Sequence, residues 1–488
     1  MRFTKIFFAF TLLLLCSCNR SEEGPSLKQF RVESTVRYTY HEQHITIDFK
    51  TEGYDVEVSV EDDAEWTSDL TVTSNKSISA HLSENSGAER VATITLTAPG
   101  YKSASIRLKQ NGVPTSTANH TLMFYFFGTS LNSYFNVNIN DAKLAIEKGA
   151  LGDNNRVVFF RQRSQSVAYI AELCYDPDSG KCFESIVEDN IIIDENPLTS
   201  NYISRTITRL SSIAPAERYG LVLAGHGRAW VPRESSGISK SGGWIPFFVP
   251  VPGAEVTRHF GEVNVLVNTS DIAEGIANSD VDIDYILFDA CFMSNIETIY
   301  ELRNSANYII ASPCEIMGSG FPYERTLPHL FRDNGTITDY AAAAESYYLY
   351  YRDEYKSSAK SGSVAVYDCS EIDALQEATK EVIKSATEEY DTHNLQTYEG
   401  QPSHYFYDFG EWVNVVATDS IALQNFNTQL ANTVIAKYTL DSFYSAYGSY
   451  GTRPINVEVY SGVTTSAPSE VLNSLWRKTM WYKSIWEL

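Results

Sequence analysis

The sequence predicts a mixed α/β chain, a mostly parallel sheet covered by helices, preceded by a small all-β sandwich domain. Three observations predict it. Short strands alternate inward and outward residues between Phe30 and Gly112, as in Asp55 to Val60 and Val91 to Leu96, with polar turns between them. A Thr/Ser/Pro-rich stretch follows over residues 114–119 and reads as a linker. Beyond it, strand-like runs apolar on both faces alternate with stretches of helical period, the pattern of a parallel sheet covered on each side.

In chain order, Arg2 and Lys5 stand ahead of the apolar run Ile6 to Leu15, which meets Cys16, Ser17 and Cys18. Residues 1–18 read as a signal peptide whose apolar run is too short to span a bilayer as a mature helix. Its ending resembles a bacterial lipobox, which implies Cys18 as the lipidated residue; Cys16 fits less well because Leu15, not a small residue, precedes it. An ordinary cleaved signal peptide is the other reading. Residues 19–27 form a linker whose Ser21-Glu22-Glu23 resembles the acidic tag of Bacteroidetes surface lipoproteins. The expectation is an outer-membrane lipoprotein exposed at the cell surface and held to the membrane by its lipid anchor.

Residues 28–113 form the expected sandwich. Trp66, Glu84-Asn85, Arg90 and the closing run Ser105 to Gly112 resemble the BACON module of Bacteroidetes surface proteins. That resemblance implies a carbohydrate- or mucin-binding domain, and a spacer holding the next domain off the membrane is the alternative.

The whole chain of 488 residues is 43 % hydrophobic and 13 % aromatic, enough to fill the cores of two or three domains. A formal charge of −23 without a basic stripe excludes a nucleic-acid binder, which needs a cationic face to neutralise phosphates. Of the 7 cysteines, Cys174, Cys182, Cys291, Cys314 and Cys369 lie in the folded part, an odd set that leaves at least one free thiol. Cys174 and Cys182 are close enough in sequence to bridge a local loop. No CxxC, HExxH or His-rich spacing points to a metal site.

Residues 120–488 make the α/β domain. Strands are expected at Leu122–Phe127, Val157–Phe160, Tyr219–Ala224, Tyr285–Phe288 and Tyr308–Ala311. Helices are expected at Asn138–Lys148, Asn201–Ile213, Thr269–Asn278, Ser294–Asn304 and Tyr340–Tyr351. Sites on such sheets lie beyond the carboxyl ends of the strands. Two strands end in reactive residues there: Tyr219 to Ala224 runs into Gly225-His226-Gly227, and Asp284 to Phe288 into Asp289-Ala290-Cys291. Either residue alone would more often be structural. Together they suit nucleophilic catalysis, with Cys291 as nucleophile and His226 as the imidazole that takes its proton and protonates the leaving amine. Gly227 lets its backbone amide approach a substrate, and with the Cys291 amide it would form an oxyanion hole.

An apolar strand ending in His-Gly, followed by another ending in Ala-Cys, resembles the clan of caspase, gingipain, legumain and clostripain, and within it the clostripain family. Phe288 to Ser294, Tyr308 to Pro313 and Gly318 to Tyr323 carry the likeness, which runs from about Leu122 to the Trp-rich C-terminus. It implies a caspase-like fold, cysteine endopeptidase activity on polypeptides and cleavage after Arg or Lys. It also implies an S1 carboxylate two residues before the nucleophile, here Asp289, which could instead cap the following helix. Ser319 stands where the family has a second acid, and Asp408 lies in a later motif that either shapes the pocket or is structural. The resemblance further implies self-cleavage between His226 and Cys291. In the Gly-, Ser- and Pro-rich stretch Arg233 to Gly253, Lys240 and Arg233 are the candidate P1 residues, an uncut flap being the alternative. No cofactor is expected; calcium is implied by the family alone, since no EF-hand-like loop is present. Two other functions stay open: a glycan- or mucin-binding surface lipoprotein on a degenerate peptidase scaffold, and a peptidase preferring Asn, Asp or a small residue.

Overall fold

The computed structural model describes residues 27–52, 56–74, 77–152, 154–232, 254–258, 267–331, 337–387, 392–401, 404–447, 454–470 and 473–487. The chain divides into two compact units, one drawn from residues 1–36, 45–82 and 91–109, the other from 37–44, 83–90 and 110–488.

The N-terminal strands form two four-stranded sheets. One orders Thr35–Tyr38, Ala104–Gln110, Arg90–Thr97 and Ser59–Asp62; the other orders Arg31–Val32, Gln43–Lys50, Ser77–Leu82 and Thr67–Ser74. Gln43–Lys50 alternates buried and exposed along its whole length, which buries Ile45, Ile47 and Phe49. Ile78, Leu82, Ile94, Leu96, Ile106 and Leu108 are buried likewise, the period-two pattern of a sheet with one apolar face.

The second unit is built on nine strands: β1 (Ala118–Phe126), β2 (Asn155–Gln162), β3 (Val167–Asp176), β4 (Lys181–Ile192), β5 (Ala216–Ala224), β6 (Ile283–Asp289), β7 (Tyr308–Ala311), β8 (Val364–Asp368) and β9 (Val434–Tyr438). They lie in the order β4-β3-β2-β1-β5-β6-β7-β8-β9. The five central strands are parallel, and the outer pairs run antiparallel. Met123, Leu221, Leu287 and Ile310 are fully buried at the sheet centre, as strands covered on both faces require.

On one side, α1 (Asn132–Glu147) packs on α5 (Tyr323–Leu330) and α5 on α6 (Ile337–Asp353). On the other, α2 (Ser200–Ile213) packs on α3 (Thr269–Ala277) and α3 on α4 (Ile296–Leu302). Helix α1 begins six residues before its expected start at Asn138. Its four asparagines disguise it locally, while Phe135, Ile139, Ala142 and Ile146 still set a helical apolar stripe. The β3–β4 hairpin and the outer strands β8 and β9 were absent from the expected strand set. Cys174 and Cys182 sit on β3 and β4 as free thiols, as do Cys291, Cys314 and Cys369 elsewhere.

Candidate active site

Strands β1, β5 and β6 are neighbours, and their carboxyl ends deliver three short turns to one place. From β5 comes His226, buried, with its Nε2 2.7 Å from the Ser130 hydroxyl in the turn after β1. From β6 comes Cys291, fully buried, followed by Phe292 in the left-handed region at φ 62°. A bulky residue at positive φ is a strained turn of the kind found where a side chain must be aimed. The two turns touch: a Cβ at Gly227 would lie 2.3 Å from the Cys291 carbonyl oxygen and 2.9 Å from its nitrogen. Glycine at 227 is therefore a packing requirement.

A segment of the chain itself lies against these turns. Residues 256–258 pair antiparallel with 316–318: Arg258 N–H donates to the Ile316 carbonyl at 2.7 Å, Gly318 N–H donates to the Val256 carbonyl at 2.7 Å, and Thr257 bridges Met317. The Arg258 carbonyl oxygen accepts from both Gly227 N–H and Cys291 N–H, each at 3.3 Å. Those are the two amides expected to form an oxyanion hole.

The Arg258 side chain is fully buried, its guanidinium Nη1 2.9 Å from Asp289 Oδ2 and 3.2 Å from the Asp289 carbonyl oxygen. Nε donates to the Gly318 carbonyl at 3.2 Å and Nη2 to Asn138 Oδ1 at 2.5 Å, while the Phe135 ring lies 5.6 Å from the guanidinium carbon. Asp289 also accepts from the Tyr323 hydroxyl at 2.8 Å and from Phe321 N–H at 3.3 Å. Burial pushes its carboxyl upward, and Arg258, Tyr323 and Phe321 N–H pull it back. Gly320, at φ 67°, makes the room: a Cβ there would stand 2.2 Å from Arg258 Nη2.

Asp289 thus faces the Arg258 guanidinium, the Tyr323 hydroxyl and Phe321 N–H, and not the helix that follows it. Ser319 enters differently from expectation. Its hydroxyl pairs with Tyr351 at 3.1 Å, and only its carbonyl reaches the pocket wall, holding Asn138 Nδ2 at 2.8 Å. The neutral Asn138 completes the pocket; its signal was a polar residue on the apolar stripe of α1. Asp408 makes structural contacts: its Oδ1 accepts from Glu411 N–H at 2.9 Å and caps the helix Phe409–Val416, and its Oδ2 accepts from Ser461 N–H at 2.7 Å. Cys18, Arg233 and Lys240 lie outside the described residues. Arg258, which no sequence argument singled out, holds the cleft.

Cys291 Sγ accepts from Ile316 N–H at 3.1 Å. Burial drives the thiol well above its ordinary range, with the nearby Glu315 charge adding to it and the Ile316 N–H opposing. Among the described residues no group of three or more His, Cys, Asp and Glu is placed to hold a metal ion.

The family model of the clostripain family, Peptidase_C11, matches residues 129–465, more than half of the chain. The chain belongs to the clostripain family. This clostripain-family member is a cysteine-type endopeptidase with the family's caspase-like sheet. It is similar to the secreted C11 cysteine protease "iotapain" of Bacteroides thetaiotaomicron, at 29% identity and a TM-score of 0.66 over 76% of this chain and 100% of that one. An inactive zymogen C11 protease from Parabacteroides distasonis is 26% identical, with a TM-score of 0.63 over 76% of this chain and 99% of that one. A secreted C11 protease from B. thetaiotaomicron bound to an irreversible peptide inhibitor shares the fold at 24% identity and a TM-score of 0.61, covering 75% and 99% of the two chains. None of the curated proteins compared matches the chain.

Proposed function

We propose that this peptidase cleaves polypeptides after Arg, and after Lys as the shorter cation, through a dyad of Cys291 and His226, and that its own Arg258 bond is its first substrate. One observation carries the reading: Arg258 has its guanidinium on Asp289 and its carbonyl oxygen between the Gly227 and Cys291 amides. A substrate strand needs that arrangement at its P1 residue. The pairing of residues 256–258 with 316–318 is the backbone half of the same recognition, one extended segment laid antiparallel along another.

The chemistry follows from the contacts. The Cys291 thiol passes its proton to His226 and the sulfur bonds to the Arg258 carbonyl carbon. Charge then develops on an oxygen already facing two N–H donors, each worth about 10²–10³ in rate where such donors have been removed. The C–N bond breaks as His226 protonates the departing amine, and water splits the thioester to restore the thiol. Ser130, against His226 Nε2, holds the ring in place. Cleavage after Arg258 would free the cleft for other polypeptides, so the uncut chain is latent.

The lipobox-like ending at Cys18 and the secreted protease of B. thetaiotaomicron at 29% identity support a location at the cell envelope, with the lipid anchor on Cys18. Residues 28–113 would then be the sandwich that spaces the peptidase domain, residues 120–488, from the membrane or engages glycan.

A positional scan of fluorogenic peptides at P1 tests the specificity. Arg is expected first, Lys next, and no turnover by Cys291→Ala. Preference for Asn, Asp or a small residue, or turnover that survives Cys291→Ala, would sink the proposal.

A further inference from the structure

The strand in the cleft carries a second side chain that is as deeply enclosed as the P1 arginine. Val256 is 45% exposed, whereas Thr257 and Arg258 are both 0% exposed, so the neighbouring side chains of an extended segment, which point to opposite faces, are both enclosed at these two positions. The Thr257 hydroxyl donates to Glu315 Oε1 at 2.8 Å, and Glu315 is itself fully buried. Glu315 is held from behind: both its oxygens accept from Ala446 N–H at 3.1 Å, and the Ser445 hydroxyl bonds it as well. Its neighbour Ile316 supplies the carbonyl that accepts from Arg258 N–H and the N–H that meets Cys291 Sγ. The carboxylate is therefore fixed to the edge that aligns the scissile bond, one position upstream.

We infer that Glu315 is a specificity-determining residue which reads a hydroxyl at P2, so that the preferred substrates carry Thr, then Ser, directly before the P1 arginine. The inference rests on the reading of 256–258 as a substrate strand, and names what that strand selects besides a cation. A buried carboxylate accepts hydrogen bonds and donates none when ionised, so a P2 donor satisfies it, and an aliphatic P2 residue leaves one lone pair of a dry oxygen unmet. An acidic P2 residue would bring a like charge against Glu315, with Glu399 adding to the negative field there. A long basic P2 side chain has no space where Thr257 is already fully enclosed.

The test compares two fluorogenic peptides that differ only at P2, Thr-Arg against the isosteric Val-Arg, on the processed enzyme and on processed Glu315→Gln and Glu315→Met. Wild type is expected to favour Thr-Arg in kcat/KM by about tenfold to a hundredfold, the range of a hydrogen bond to a charged group. The ratio should fall severalfold in Glu315→Gln and approach one in Glu315→Met. Because the ratio is taken within each variant, partial loss of folded enzyme cancels, and if the Met variant is inert the Gln variant decides. Equal turnover of the two peptides by wild type would overturn the P2 inference while leaving cleavage after Arg intact. A wild-type preference unchanged in Glu315→Gln would remove Glu315 as its reader. Failure to cleave either peptide would instead strike the P1 reading itself.

Discussion

Two buried carboxylates flank Cys291, and they are answered differently. Asp289 faces a guanidinium and two further donors, while Glu315 faces a threonine hydroxyl and the backbone behind it. Both are fully enclosed, and burial raises both, Glu315 to about 7. The difference lies in the partner. A charge facing a charge in a dry site makes each indispensable to the other, whereas a carboxylate facing neutral donors is adjustable. On the proposed reading, the first arrangement dictates which residue is cut, and the second grades how well.

The largest effect that would break this comparison is on turnover. Asp289→Asn should lower kcat/KM for Arg peptides by about 10²–10³-fold, since it leaves a buried cation without its counter-charge. A loss no greater than that in Glu315→Gln would erase the distinction. Stability of the uncut chain should follow the same order. In a Cys291→Ala background, Asp289→Ala is expected to cost about 3–5 kcal/mol by denaturant unfolding, because Arg258 stays buried and unpaired. Glu315→Gln should cost about 1 kcal/mol, the scale of one hydrogen bond.

Gly320→Ala sharpens the P1 side. Its methyl would strike Arg258 Nη2, so the Arg-to-Lys ratio in kcat/KM should fall about tenfold, the ammonium of lysine being more compact. An unchanged ratio would show that the guanidinium does not lie under that backbone.

The smallest expected effect comes from a third buried carboxylate that meets no occupant. Glu297 accepts from Thr465 Oγ1, Ser466 N–H and Trp476 Nε1, and burial lifts it to about 7. Its folded value lies above the unfolded one near 4.5, so the folded state holds its proton more tightly. The stability it contributes is fully present below pH 4.5 and fades as pH rises through 7. Glu297→Gln should flatten the fall in melting temperature between those values without moving either peptide ratio.

The strand ends that carry His226 and Cys291 were legible because their signals are local. An apolar run that stops at His-Gly or at Ala-Cys announces a strand end, and the offset of Asp289 from Cys291 places it beside the same strand terminus. Asp408-Phe409-Gly410-Glu411 also carried a local signal, the acidic pair at capping spacing, and Asp408 caps that helix. Arg258 was illegible for the opposite reason. Its role arises only when 256–258 folds back on 316–318, a pairing between segments some sixty positions apart with little periodicity of its own. Composition drew attention to the Gly- and Ser-rich stretch carrying Arg233 and Lys240, because such loops are cut when exposed. Seating a residue between the Gly227 and Cys291 amides is a property of position, and composition does not encode it. Glu315 was hidden likewise, its meaning depending on Thr257 arriving opposite it.

The most direct test is to map by mass spectrometry the termini of purified wild type beside Cys291→Ala. Wild type should yield a fragment ending at Arg258 and another beginning at His259, and Cys291→Ala should remain uncut there. An intact Arg258–His259 bond in enzyme that turns over Arg peptides, or the same cut in Cys291→Ala, would contradict the reading of Arg258 as the peptidase's own first substrate.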